Sequence, residues 1–132
     1  MRMRTVIVAG AATLLLAGCA SARAAPAAVT LDEHNNGQTV HVAVGADITV
    51  TLHSTYWTFS PVPAGVLKTV GAPATVGGAC APGEGCGTVT VRFTAVGKGT
   101  AALAAGRTTC GEALACGPGQ GTYRVTVDVD KG

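Results

Sequence analysis

Thr88-Val89-Thr90-Val91-Arg92-Phe93-Thr94-Ala95 is the stretch that decides the fold. Val89, Val91, Phe93 and Ala95 fall on one face of an extended chain, and Thr88, Thr90, Arg92 and Thr94 fall on the other. A strand with one apolar and one polar face belongs to an antiparallel sheet that covers a core on one side and meets water on the other. The same period of two recurs towards the C-terminus, where Tyr123, Val125, Val127 and Val129 alternate with Thr122, Arg124, Thr126 and Asp128. Upstream, Val40, Val42 and Val44, then Ile48, Val50 and Leu52, alternate with Thr, His and small residues. Less regular strands are expected at Tyr56 to Phe59, Val66 to Val70 and Thr100 to Ala105, with Gly or Pro between most neighbours. The last of these is Ala-rich, but Gly99 and Gly106 bracket it too tightly for a helix. No stretch beyond the N-terminal region shows an apolar period of 3.6. The expected fold is therefore all-β, an immunoglobulin-like antiparallel β-sandwich of seven or eight strands.

The N-terminus has a different character. Arg2 and Arg4 precede an apolar run from Val6 to Ala17 that is shorter than the ~20 residues of a membrane-spanning helix. The run ends in Leu16-Ala17-Gly18-Cys19, which resembles the lipobox of bacterial lipoproteins. That resemblance implies a signal peptide over residues 1–18, with Cys19 as the lipidated first residue of the mature chain. Residues 19–28, rich in Ala and Pro, read as a tether, and residues 29–132 as one domain. The implied location is the cell membrane, lipid-anchored on its extracytoplasmic side.

Removing eighteen residues from 132 leaves 114, enough for a single modest core. Arg2 and Arg4 leave with the signal, so seven basic residues face seven acidic ones and the mature chain is formally neutral. Without a basic cluster, nucleic acid is not an expected partner. Four cysteines remain beyond Cys19: Cys80, Cys86, Cys110 and Cys116. An even number in an exported domain predicts two disulfides rather than a zinc site, whose paired ligands sit closer together. Three connectivities are open; Cys80 with Cys86 and Cys110 with Cys116 is favoured because each pair closes its own Gly-rich loop.

Val44-Gly-Ala-Asp-Ile-Thr-Val-Thr-Leu52, Thr90-Val-Arg-Phe-Thr-Ala-Val-Gly-Lys-Gly-Thr-Ala101 and Tyr123-Arg-Val-Thr-Val127 together resemble the chagasin-type family of cysteine protease inhibitors, over roughly Val40 to Val129. The resemblance implies an immunoglobulin-like domain that wedges three loops, all from one end of the sandwich, into the cleft of a papain-like protease. The loops depart from the family pattern. His53-Ser54-Thr55-Tyr56-Trp57 stands where the family carries Asn-Pro-x-Thr-Gly. Arg107 matches the first position of the family's Arg-Pro-Trp, with Thr108 and Thr109 in place of the other two. The middle loop, Gly78 to Gly87, keeps its glycines and gains Cys80 and Cys86.

These readings nominate Ser54, Thr55, Tyr56, Gly83, Glu84, Arg107, Thr108 and Thr109 as partner-binding residues, on loops that disulfides would stiffen. In an alternating strand Trp57 and Phe59 share the core face, which leaves Tyr56 partly exposed. The leading expectation is a lipid-anchored envelope module that binds a protein or surface polymer. The alternative is a chagasin-like inhibitor of papain-type cysteine proteases with altered specificity. A second alternative is metal handling by His41 and His53, which would be diagonal neighbours if their strands formed a hairpin around Gly45-Ala46-Asp47. No cofactor, no resident metal and no catalytic residues are expected: the two serines of the domain, Ser54 and Ser60, lie in no nucleophile motif, and the carboxylates are scattered.

Overall fold

Among the described residues, ten strands and one short turn of 3-10 helix follow one another along the chain. They are β1 (Val29–Leu31), the 3-10 turn (Glu33–Asn35), β2 (Thr39–Ala43), β3 (Asp47–His53), β4 (Thr58–Phe59), β5 (Leu67–Gly77), β6 (Gly87–Ala95), β7 (Gly99–Gly106), β8 (Thr109–Gly111), β9 (Leu114–Ala115) and β10 (Thr122–Asp130). The computed structural model describes residues 18–19, 25–111 and 114–131. The expected signal peptide up to Ala17 and tether residues 20–24 lie outside the described residues.

The eight longer-range strands form two sheets of four, in the orders β1-β3-β6-β5 and β2-β10-β7-β4, and β8 with β9 makes a separate hairpin. This is the expected all-β immunoglobulin-like sandwich. Most pairings are antiparallel, but β1 runs parallel to β3 and β2 parallel to β10. The reason is that the chain lays its first strand on one sheet, turns through Glu33–Asn35, and lays its second on the other. Asp32 caps that turn by accepting a hydrogen bond from the His34 N–H, and the Asn35 side chain accepts from the Asp32 N–H.

From β2 the chain crosses between sheets at Gly45-Ala46 instead of closing a hairpin, with Gly45 at φ 93°. The hairpin that would have made His41 and His53 neighbours is therefore absent. His41 lies in one sheet, 3.4 Å from Asp128, and His53 lies in the other, beside Glu33. The two histidines cannot hold a common ion, which removes the metal-handling expectation.

The core is built from the alternating positions: Ile48, Val50 and Leu52 of β3, Val89, Val91 and Phe93 of β6, Leu103 of β7, and Tyr123, Val125, Val127 and Val129 of β10 are all buried. Each such side chain contributes roughly 1.5–3 kcal/mol by leaving water. Ala105 of β7 stands in register between Phe59 of β4 and Tyr123 of β10. Its small side chain leaves room for the two flanking aromatic rings. Phe59 then reaches across the sandwich to Phe93, with ring centroids 6.4 Å apart.

Two strands differ in extent from the sequence reading. The aromatic segment shrinks to the two residues of β4, because Tyr56 and Trp57 belong to the preceding turn. The strand expected at Val66 to Val70 continues to Gly77, past an irregularity between Val70 and Ala74. Along β5 only Leu67 is buried. Thr69 and Thr75 share a face with Phe93 and Val89 yet stay exposed, since the opposing sheet ends in the short β4 and does not reach them.

Candidate functional site: the loop end

Strand register brings three separate loops to one end. His53 pairs with Thr88, Gly106 pairs with Thr122, and Thr58 pairs with Gly106. Residues 54–57, 78–86 and 107–121 therefore all leave the sandwich on the same side. Every predicted binding residue lies there.

The first loop turns at Ser54, which has φ 100°, and the Ser54 side chain accepts from the Tyr56 N–H at 3.2 Å. Its backbone is laced to the middle loop: the Ser54 N–H donates to the Gly87 carbonyl at 2.8 Å and the Thr55 N–H to the Gly85 carbonyl at 2.9 Å. The Tyr56 hydroxyl donates to the Gly83 carbonyl at 2.6 Å. Tyr56 is half-buried, with its ring lying against Gly85. Gly85 is required here twice over, because its φ is 67° and any Cβ would overlap the Tyr56 ring. Tyr56 is thus a bracket between the first and middle loops.

The middle loop is closed by the Cys80–Cys86 disulfide and by the Gly78 N–H, which donates to the Cys86 carbonyl at 2.8 Å. Gly83 and Glu84 are exposed at its tip. One ligand atom from each of Cys80, Glu84 and Cys86 lies within 4.8 Å of the others. The two sulfurs are bonded to each other, so the group lacks the thiolates that a metal would need.

The third loop contains the β8–β9 hairpin and the Cys110–Cys116 disulfide. The favoured pairing of the four cysteines is the one observed. Arg107 opens this loop. Its backbone N–H donates to the Gly121 carbonyl at 2.9 Å, its Nε donates to the Gln120 carbonyl at 3.1 Å, and its guanidinium carbon lies 4.6 Å from the centre of the Trp57 ring. Trp57 in turn donates its indole N–H to the His53 carbonyl at 2.8 Å and is buried. This cation–π contact ties the third loop to the first as Tyr56 ties the first to the second. Thr108 is exposed and Thr109 half-buried; the Thr108 carbonyl accepts from the Cys116 N–H at 2.9 Å. Leu114, on β9, is 66% exposed.

A fourth segment belts the same end. The Glu33 carboxylate accepts from the His53 backbone N–H and lies 3.1 Å from His53 Nδ1. Asn36 exchanges hydrogen bonds with the first turn of β10, donating to the Thr122 carbonyl at 3.1 Å and accepting from the Arg124 N–H at 2.8 Å. Partial burial opposes charge on Glu33, but the hydrogen bonds from His53 outweigh it and hold the carboxyl below its usual range. Asp32 is also held low, chiefly by the His34 N–H. Tyr123 lies beneath this belt. Burial, helped by the charges of Asp32 and Glu33, pushes its phenol up to about 12, and its hydroxyl makes no hydrogen bond to the described residues.

Arg107 over Trp57, Glu33 against His53 and the exposed Leu114 were not anticipated from the sequence. The Cys110-x5-Cys116 spacing did mark out the ring that presents Leu114, but nothing local marks which apolar residue of that ring stays in water.

No protein-family model matches the chain, and no curated protein matches it in sequence. Solved structures do match. Amebosin shares 20% identity at a TM-score of 0.55, with 77% of this chain and 97% of amebosin covered. The cysteine protease inhibitor EhICP2 from Entamoeba histolytica shares 12% identity at a TM-score of 0.55, with 78% and 96% covered. The chain has the scaffold of the chagasin-type cysteine protease inhibitors.

Proposed function

We propose that this chain is a lipid-anchored, extracytoplasmic protein that inhibits a papain-type cysteine protease through its loop end, with specificity altered from that of the chagasin-type pattern. The observation that carries the reading is the mutual locking of three loops at one end of that scaffold: Tyr56 on Gly83 and Gly85, Arg107 on Trp57, and a disulfide in each of the two longer loops. Loops already ordered before contact lose little entropy on binding, as a substrate-cleft blocker requires. Ser54, Thr55, Tyr56, Gly83, Glu84, Arg107, Thr108 and Thr109 supply the contact surface. The anchor is supported by Leu16-Ala17-Gly18-Cys19, and Cys19 is exposed and outside both disulfides.

Titration of the disulfide-bonded domain against a panel of papain-like proteases tests the proposal, with reversible tight inhibition of at least one member expected. Inhibition of none at micromolar protein refutes it. A second reading, an envelope module that binds another protein or a surface polymer, is favoured by one feature: the first loop carries Ser54-Thr55-Tyr56 in place of the family motif and commits the Tyr56 hydroxyl to its own middle loop. Capture of an envelope component on the same loops, without protease inhibition, is the outcome that selects it.

A further inference from the structure

The two ends of the sandwich are chemically unlike, and the N-terminal segment is attached to one of them. Val29, the first residue of β1, lies level with Ile48 at the start of β3, and Ile48 pairs with Phe93 late in β6. A Cβ on Gly45 would stand 3.2 Å from Pro26 Cγ, so the chain ahead of β1 passes beside the Gly45 crossover. The Val44 N–H donates to the Asp130 carbonyl at 3.0 Å, which brings the end of β10 to the same pole. The three locked loops occupy the other pole. From the Phe93 rung to the Gly87 rung β6 covers about 20 Å, and the loops project beyond it.

Cys19 is joined to Val29 by ten Cα–Cα steps, a reach of about 35 Å at full stretch. To touch a bilayer holding Cys19, the loop pole would need that segment folded back along the domain for more than half of its reach. The loop pole is also poorly suited to a lipid surface. Its charged side chains among the described residues are Asp32, Glu33, Glu84, Arg107 and Arg124, and Arg107 is stacked on Trp57. No basic cluster is present among the described residues there to meet anionic headgroups. Yet this pole carries Leu114, the most exposed large apolar side chain among the described residues, in a hairpin clamped by Cys110–Cys116.

We infer that the anchor holds the loop pole away from the membrane and that Leu114 is the apolar anchor with which this pole enters a hydrophobic pocket of a diffusible protein. This inference rests on the proposed function, under which that pocket belongs to the protease cleft. Leu114 then sets specificity: the target pocket accepts a branched aliphatic side chain and excludes a charged one.

The test uses the lipidated full chain in vesicles containing doxyl-labelled phospholipid. With Trp57→Phe as background, a single Trp is placed at the loop pole by Leu114→Trp or at the anchor pole by Lys131→Trp. Strong quenching of the anchor-pole probe and little of the loop-pole probe is expected. Equal or stronger quenching at the loop pole overturns the inference and makes Leu114 a membrane-inserting residue, while leaving the anchor intact. Mass analysis that finds no acyl group on Cys19 overturns both the anchor and this orientation. In solution, Leu114→Asp should weaken protease inhibition about tenfold or more, the loss that goes with leaving a Leu pocket unfilled. Unchanged inhibition by a folded Leu114→Asp variant overturns the anchor-residue assignment alone. Failure of the parent protein to inhibit any protease removes the protease pocket as its target, here and in the proposed function.

Discussion

Replacing Gly85 with Ala should loosen the whole loop end, although the substitution adds one methyl group. Gly85 sits at φ 67°, where an L-residue costs about 1–2 kcal/mol. The added Cβ would also occupy the space of the Tyr56 ring, so the ring must leave. With it goes the hydrogen bond from the Tyr56 hydroxyl to the Gly83 carbonyl, worth about 1 kcal/mol. The sum is about 2–3 kcal/mol. Gly37→Ala is the control: Gly37 has φ 81°, but a Cβ there meets nothing within 4 Å, so only the backbone cost of about 1–2 kcal/mol applies. Thermal unfolding compares the two, at about 4–8 °C per kcal/mol for a domain near 100 residues. Amide exchange at Thr55 and Gly78, whose N–H groups bond into the middle loop, reports any part of the loss taken up by local opening. If Gly85→Ala costs no more than Gly37→Ala and leaves those two amides protected, the bracket formed by Tyr56 is wrong.

Four further outcomes are expected. Because Glu33 titrates below its ordinary value of 4.5 in the folded protein, the stability it confers is complete above that value and is lost as pH falls through the folded one; acid melts of the parent and of Glu33→Gln should differ at about pH 5 and draw together as the pH falls through the lowered folded value. Tyr123→Phe should leave the melting temperature unchanged or raise it, since the phenol is buried without a partner, and a loss above about 1 kcal/mol would reveal a hydrogen bond that the structure lacks. The same phenol, ordinarily at 10 and here near 12, stays neutral longer in the folded state, so stability should fall as pH rises from 10 to 12 in the parent and not through this residue in Tyr123→Phe. Replacing Cys110 and Cys116 together with Ser should cost about 2 kcal/mol, as for a short ring, and leave the two-sheet signal in circular dichroism intact because the ring lies outside both sheets.

The sheet faces were legible because burial in a sandwich imposes a period of two on the chain itself. Val89, Val91 and Phe93, and Val125, Val127 and Val129, could be assigned to the core without any partner in view, and all are buried. The loop end was legible in part for a related reason. A Cys-x5-Cys ring within a Gly-rich stretch is a local feature, and which ends of a sandwich its loops occupy follows from strand order. Strand limits were less visible, since Tyr56 to Phe59 has strand-like residues but only Thr58 and Phe59 find a ladder partner in β7.

By itself the sequence determined that this is a disulfide-containing β-sandwich with two glycine-rich loops closed by cysteines, because alternation and cysteine spacing each act over a few residues. Only the tertiary structure decided what those loops do to one another. Arg107 lies fifty positions from Trp57, Gly83 lies twenty-seven from Tyr56, and Glu33 lies twenty from His53. No local pattern encodes such contacts, since each depends on the register of strands laid down far apart in the chain. The same register separated His41 from His53, which sequence spacing had brought together. It also placed the start of β1 and the loops at opposite poles, because β1 runs parallel to β3 and so starts where the loops do not.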